Sequence, residues 1–273
     1  MRSEVMTLGT PNPRQREFLA CEKKYVAFGG ARGGGKSWAV RCKAKLLALR
    51  YAGIRILLVR RSLAELEANH LAFLRQELAD VAEYRAGERQ FRFCNGSVLQ
   101  FGYCGCDRDL DRYQGAEYDV IFLDEATQLK EQWMRQIAAC VRGVNDFPKR
   151  IYYTCNPGGP GHGYIKRLFI DRRFEDGEQP EDYAFIPARV TDNTALLARQ
   201  PDYLKTLEAL PYKLRRAWLE GRWDVFAGQV FQEFTDDPDH YDDRRWTHVI
   251  RPFDVPREWN IYRSYDFGYA RPF

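Results

Sequence analysis

The run Gly30-Ala-Arg-Gly-Gly-Gly35-Lys36-Ser37 matches G-x-x-x-x-G-K-[ST] at every fixed position. Its chemistry is phosphate capture. Gly30, Gly33, Gly34 and Gly35 let the backbone curl so that successive N–H groups, that of Arg32 included, face phosphate oxygens. A helix opening at Lys36 adds the positive end of its dipole. Lys36 supplies a cation for the β- and γ-phosphates, and the Ser37 hydroxyl is a ligand for Mg²⁺. About 90 residues on, the apolar run Asp119-Val-Ile-Phe-Leu ends in Asp124-Glu125, the pattern of a strand delivering acids to a sheet edge. Asp124 there holds Mg²⁺ through water, and Glu125 is placed to orient and deprotonate an attacking water. An acid pair of this kind favours ATP over GTP, and no N-K-x-D guanine-reading motif is present. Thr154 and Asn156, in Thr-Cys-Asn-Pro at the end of a later strand, offer polar groups to the γ-phosphate or its water. Gln15, upstream in Pro-Asn-Pro-Arg-Gln, carries an amide able both to donate to and accept from an adenine edge.

These groups need a scaffold that gathers strand ends. The chain has 273 residues, 45% hydrophobic and 29% charged, with a net charge of +4. That excludes a disordered tail, a collagen and a coiled coil. No run approaches the roughly 18 apolar residues of a membrane span, and residues 1–18 contain no apolar stretch of signal-peptide type. Seven cysteines without a C-x-x-C pair read as reduced and packed, in a cytoplasmic protein.

The pattern predicts strands over 25–29, 54–60, 119–123 and 150–155, and a hairpin over 91–103 turning at Asn95-Gly96. Helices are predicted over 36–52, 63–81 and 132–141. Continuous apolar strands alternating with helices imply a mainly parallel sheet covered on both faces. A helical stretch over 201–223 breaks at Pro211. An acidic, proline-containing run then leads to a strand-like segment bearing Tyr265-Asp266-Phe267-Gly268.

Taken in order, these motifs resemble the large terminase subunit of tailed double-stranded DNA bacteriophages. The likeness also includes Q-G-A-E-Y-D before the acidic strand, the T-C-N-P-G-G run and G-R-W-D at Gly221–Asp224. It implies an α/β P-loop NTPase of RecA/ASCE type over residues 1–190 and a small helical lid over 191–228. The remaining residues, 229–273, would be a linker and the opening strand of a ribonuclease H-like nuclease. It further implies an ATP- and Mg²⁺-dependent motor that moves double-stranded DNA into a procapsid, working as a ring on the portal protein with the small terminase subunit. It would act in the host-cell cytoplasm without a membrane. Gln15 would read adenine, Thr154 and Asn156 would couple hydrolysis to movement, and Asp266 would be the first of several nuclease carboxylates around two metals. With the other carboxylates missing, no DNA cleavage is expected of these 273 residues. The family often carries a finger arginine just before the glycine matching Gly115, where this chain has Gln114. Arg112, two residues earlier, and Arg32 in the P-loop are the candidates in its place. Two other readings of the same motifs are a helicase-like nucleic-acid translocase and a nucleotide-binding switch that does not turn over.

Overall fold

The computed structural model describes residues 9–225, 237–244, 247–260 and 262. The chain packs as two compact units, residues 1–230 and 231–273.

The first unit is built on one eight-stranded sheet in the order β3-β4-β5-β2-β6-β7-β1-β8. Its strands are β1 Tyr25–Gly30, β2 Arg55–Arg60, β3 Ala82–Arg85, β4 Gln90–Phe93, β5 Val98–Tyr103, β6 Val120–Leu123, β7 Arg150–Cys155 and β8 Tyr183–Ala188. The six strands from β5 to β8 in that order pair parallel. Strands β3 and β4 extend the β5 edge antiparallel. The β4–β5 hairpin turns where Asn95-Gly96 predicts, with Gly96 at φ 83°. Strand β7 lies between the glycine-tipped β1 and the acid-tipped β6.

Alternation along the central strands fills both faces. Val26, Phe28, Ile56, Leu58, Val120, Phe122 and Tyr152 enter one core. That face is covered by α1 (Pro13–Ala20), α2 (Lys36–Arg50) and a composite helix of α3 (Leu63–Leu66), a π turn (Glu67–Leu71) and α4 (Ala72–Glu77). Ala27, Leu57, Val59, Ile121, Leu123 and Tyr153 enter the other core, against Trp133, Met134 and Ile137 of α5 (Glu131–Ala138) and the segment around α6 (His162–Ile165). Three short helices follow β8: α7 Thr194–Arg199, α8 Tyr203–Glu208 and α9 Tyr212–Trp218, which starts after Pro211.

Two strands have no counterpart in the sequence pattern. β3 (AEYR) is a partly exposed edge strand without an apolar run. β8 (YAFIPA) contains Pro187, which an edge strand tolerates because its outer side carries no ladder. The helix expected over 63–81 ends at Glu77 and carries the π turn in its middle.

In the second unit, the Asp237 N–H donates to Thr247 Oγ1 at 3.2 Å, Arg251 pairs with Asp242 at 2.7 Å, and Phe253 meets Trp259 edge to face. Asp266 and the strand assigned to it lie outside the described residues.

Candidate nucleotide site

Register brings the chemistry to one edge. Phe28 of β1 is level with Thr154 of β7, and Leu123 of β6 is level with Tyr153. Asp124 therefore follows directly beside Thr154, at the carboxyl ends of the parallel strands, where open α/β sheets bind ligands. A cleft of about 920 Å³ opens there, lined by residues 32–38, Glu125, Gln128 and Asn156 among others.

The loop from Gly30 to Gly35 is shaped by left-handed glycines. Gly33 has φ 79°, and a side chain there would also run into Tyr203 and Val190. Gly35, at φ 74°, is the residue before α2, so the first turn of α2 opens toward the cleft. Lys36 is buried, and its Nζ donates to Ala31 O at 2.6 Å and to Asn156 Oδ1 at 2.8 Å. Burial pulls its pKa below the ordinary lysine value, while Glu125, Cys155 and Asp124 pull it back up.

Asn156 also donates from Nδ2 to both carboxylate oxygens of Glu125, at 3.2 and 2.9 Å. One amide thus joins the cation to the acid. Its own backbone carbonyl is fixed by the Thr127 hydroxyl at 2.8 Å. Thr154 does the parallel task for the acid pair. Its hydroxyl donates to Asp124 Oδ1 at 2.6 Å and accepts the Glu125 N–H at 2.8 Å. Glu125 itself sits at φ 52°, ψ 47°, a left-handed conformation that a non-glycine residue adopts at a cost. Such strain persists where surrounding contacts over-determine it, here through Thr154, Asn156 and the Gln128 N–H on its carbonyl.

Asp124 is 1% exposed and does not line the cleft. Burial alone would raise its pKa, but His70, Arg60 and Thr154 outweigh that and hold it well below the usual carboxylate range. His70 Nε2 lies 2.8 Å from Asp124 Oδ2, and Arg60 Nε lies 3.2 Å from the same oxygen. Sequence patterning singles out neither His70 nor Arg60. The available signal is a histidine set in the apolar helix pattern Leu66, Leu71, Leu74 and an arginine pair closing β2.

Ser37 lines the cleft and offers a hard oxygen donor for magnesium, while Asp124 lies buried behind the cleft. Among the described residues no group of three or more His, Cys, Asp or Glu is placed to hold a metal. The donor set fits an ion carried on phosphates that takes one or two oxygens from protein. Cys155, under the loop, has its thiol pushed up to about 12 by burial and is no nucleophile.

Gln15 lies beside the phosphate loop. It is buried, does not line the cleft, and forms a capping box with Asn12. Its Oε1 accepts the Asn12 N–H at 2.9 Å and its Nε2 donates to Gly35 O at 3.0 Å. The side chain braces the phosphate loop against α1. Gln15→Ala is expected to cost about 1 kcal/mol of stability, typical of a lost cap, read by thermal or denaturant unfolding.

The two candidate arginines part company. Arg32 lines the cleft, with its guanidinium stacked 3.4 Å over the Trp218 ring and its N–H bonded to Trp218 O. Arg112 lies in the 3₁₀ turn Asp107–Tyr113, paired with Asp109 at 2.9 Å and stacked on Tyr103, outside the cleft. Asn193, Leu196 and Tyr203, from the segment after β8, close another wall of the cleft. Asn193 Nδ2 donates to Gly33 O at 2.7 Å. Gly221, at φ 70°, packs on Gly30, and Trp223 stacks on His162.

No curated protein sequence matches the chain. Among solved structures, the fold is similar to the large terminase of a thermophilic bacteriophage in complex with ADP. The TM-score is 0.63 at 16% identity, over 78% of this chain and 53% of that one. It is also similar to the Thermus phage P74-26 large terminase ATPase domain. There the TM-score is 0.57 at 14% identity, over 78% of this chain and 94% of that one. The chain thus matches about half the length of the ADP-bound terminase. A family model described as terminase large subunit, T4likevirus-type, N-terminal, matches residues 27–235. On that match, joined to the phosphate loop, the acid-tipped strand and the sheet order, the chain belongs to the terminase large subunit family.

Proposed function

We propose that the chain hydrolyses ATP with Mg²⁺ and is the motor part of a terminase large subunit that drives double-stranded DNA into a procapsid. The observation that carries the reading is the Lys36–Asn156–Glu125 bridge, which holds a phosphate-binding cation and a water-activating acid in one hydrogen-bonded unit at the cleft. The similar thermophilic-phage terminase was solved with ADP, which supports nucleotide as the ligand.

The main-chain N–H groups of residues 33–37 and Lys36 Nζ bind phosphate oxygens. Ser37 directly and Asp124 through water would hold magnesium, which would supply charge neutralisation on the phosphates. Glu125 accepts a proton from the attacking water, and Asn156 fixes which way its carboxylate faces. Loss or gain of a γ-phosphate near Asn156 and Thr154 alters bonds that run directly to β6 and β7, a route for coupling hydrolysis to movement. Residues 191–228 act as the lid over this site. The partners in this reading are double-stranded DNA, the portal protein, the small terminase subunit and further copies of the chain in a ring. The place of action is the host cytoplasm, and among the described residues no helix is long and apolar enough to cross a membrane. In the whole protein an endonuclease follows, with Asp266 among its metal ligands.

ATP turnover measured with linear double-stranded DNA of increasing length tests the motor. Turnover that rises with length without strand separation supports it, and strand separation favours a helicase-like translocase instead. Arg112, exposed and outside its own cleft, acts as a finger in trans. Arginine fingers contribute roughly 10³–10⁵ in rate where they operate. Arg112→Ala should thus slow the portal-assembled motor by orders of magnitude and leave dilute chain nearly unchanged. An equal loss in dilute chain would show Arg112 acting within its own chain, and no loss in the assembled motor would leave Arg32 as the finger.

A further inference from the structure

We infer that His70 is a positioning residue for Asp124, fixing the carboxylate that serves the magnesium–nucleotide complex; this rests on the proposed ATP site. His70 is 0% exposed and does not line the cleft. Its Nε2 reaches Asp124 Oδ2 at 2.8 Å. An ionised carboxylate only accepts, so Nε2 carries the hydrogen. The other ring nitrogen, Nδ1, is buried and has no hydrogen-bond partner among the described residues. Packing alone does not ask for such a group: a leucine among Leu66, Leu71 and Leu74 would remove the orphaned ring nitrogen, but it would also take the hydrogen bond from Asp124 Oδ2.

The local backbone is bent to the same end. His70 lies in the π turn Glu67–Leu71, and the extra residue of a π turn resets the register between α3 and α4. Asn69 and Phe73 line the cleft, and the Asn69 carbonyl holds Arg41 of α2 at 2.7 Å. His70, between them, is directed instead to β6. Arg60 shares Oδ2 but also lines the cleft and bonds Glu65 O at 3.2 Å, so it stands where phosphates and metal enter. Thr154 occupies Oδ1. His70 is the partner on Oδ2 that arriving ligand does not meet. Partners of this kind behind metal-binding groups typically contribute 10–100-fold in metal affinity.

The test reads binding of a fluorescent ATP analogue to the full 273-residue chain, titrated with Mg²⁺, and in EDTA. His70→Leu should raise the half-saturating Mg²⁺ about tenfold and leave binding in EDTA unchanged, because the phosphate loop does not involve His70. His70→Gln, whose Nε2 reaches the same position, should stay within about threefold of wild type. His70→Asn, one bond shorter, should behave as His70→Leu. Should the leucine variant fail to fold, the glutamine–asparagine contrast decides. Equal Mg²⁺ dependence in wild type and folded His70→Leu, or in the Gln and Asn variants, overturns the inference. Absence of nucleotide binding by wild type would instead overturn the ATP site itself.

Discussion

Glu125→Gln is expected to bind ATP as tightly as wild type and to turn it over about 10²–10⁴-fold more slowly, the range of a general-base contribution. The amide keeps the shape of the carboxylate and can still meet Asn156, whose Nδ2 now donates to both Glu125 oxygens. What it loses is the capacity to take a proton from water. The strained backbone at φ 52° is held by Thr154 and Gln128, neither of which depends on the charge. Binding and steady-state turnover measured on the same preparation separate the two effects. Near wild-type turnover would remove Glu125 from the role of base.

Lys36→Ala is expected to abolish hydrolysis. Nζ is held by Ala31 O and Asn156 Oδ1 within the loop, so the cation is placed before any phosphate arrives. Preplaced charge in a water-poor site stabilises developing charge without reorganising. Truncation removes it and also leaves the Asn156 side-chain oxygen Oδ1 without its Lys36 donor, so Glu125 is expected to lose part of its orientation as well. The readout is phosphate release at saturating ATP, with unfolding monitored alongside to show that the loss is chemical.

Much of this site is legible in the residues themselves. A glycine loop needs a strand before it and a helix after it, and Tyr25–Gly30 and Lys36–Arg50 supply them. Asp124 and Glu125 follow an apolar run that can only be a buried strand, and Thr154 lies near the end of another. Parallel pairing then brings their ends together without further information. The hidden parts depend on contacts distant in sequence. With α1 packed on α2, the Gln15 amide meets Gly35 O across 20 positions, a contact that no local pattern reveals. His70 reads as one polar residue on a leucine-rich helix. Only the π turn, which no periodicity reveals, turns it onto Asp124 across 54 positions. β3 and β8 escape because edge strands carry charge and proline in place of an apolar run.

Hydrolysis, rather than nucleotide sensing without turnover, is expected of the cleft. The most direct measurement is a single turnover: wild-type chain in excess over radiolabelled ATP with Mg²⁺, quenched over time and resolved into ATP and ADP. Bound ATP is expected to convert to ADP and phosphate, faster with double-stranded DNA present and far more slowly in Glu125→Gln. A stoichiometric wild-type complex in which the nucleotide remains ATP throughout, with and without DNA, would contradict it.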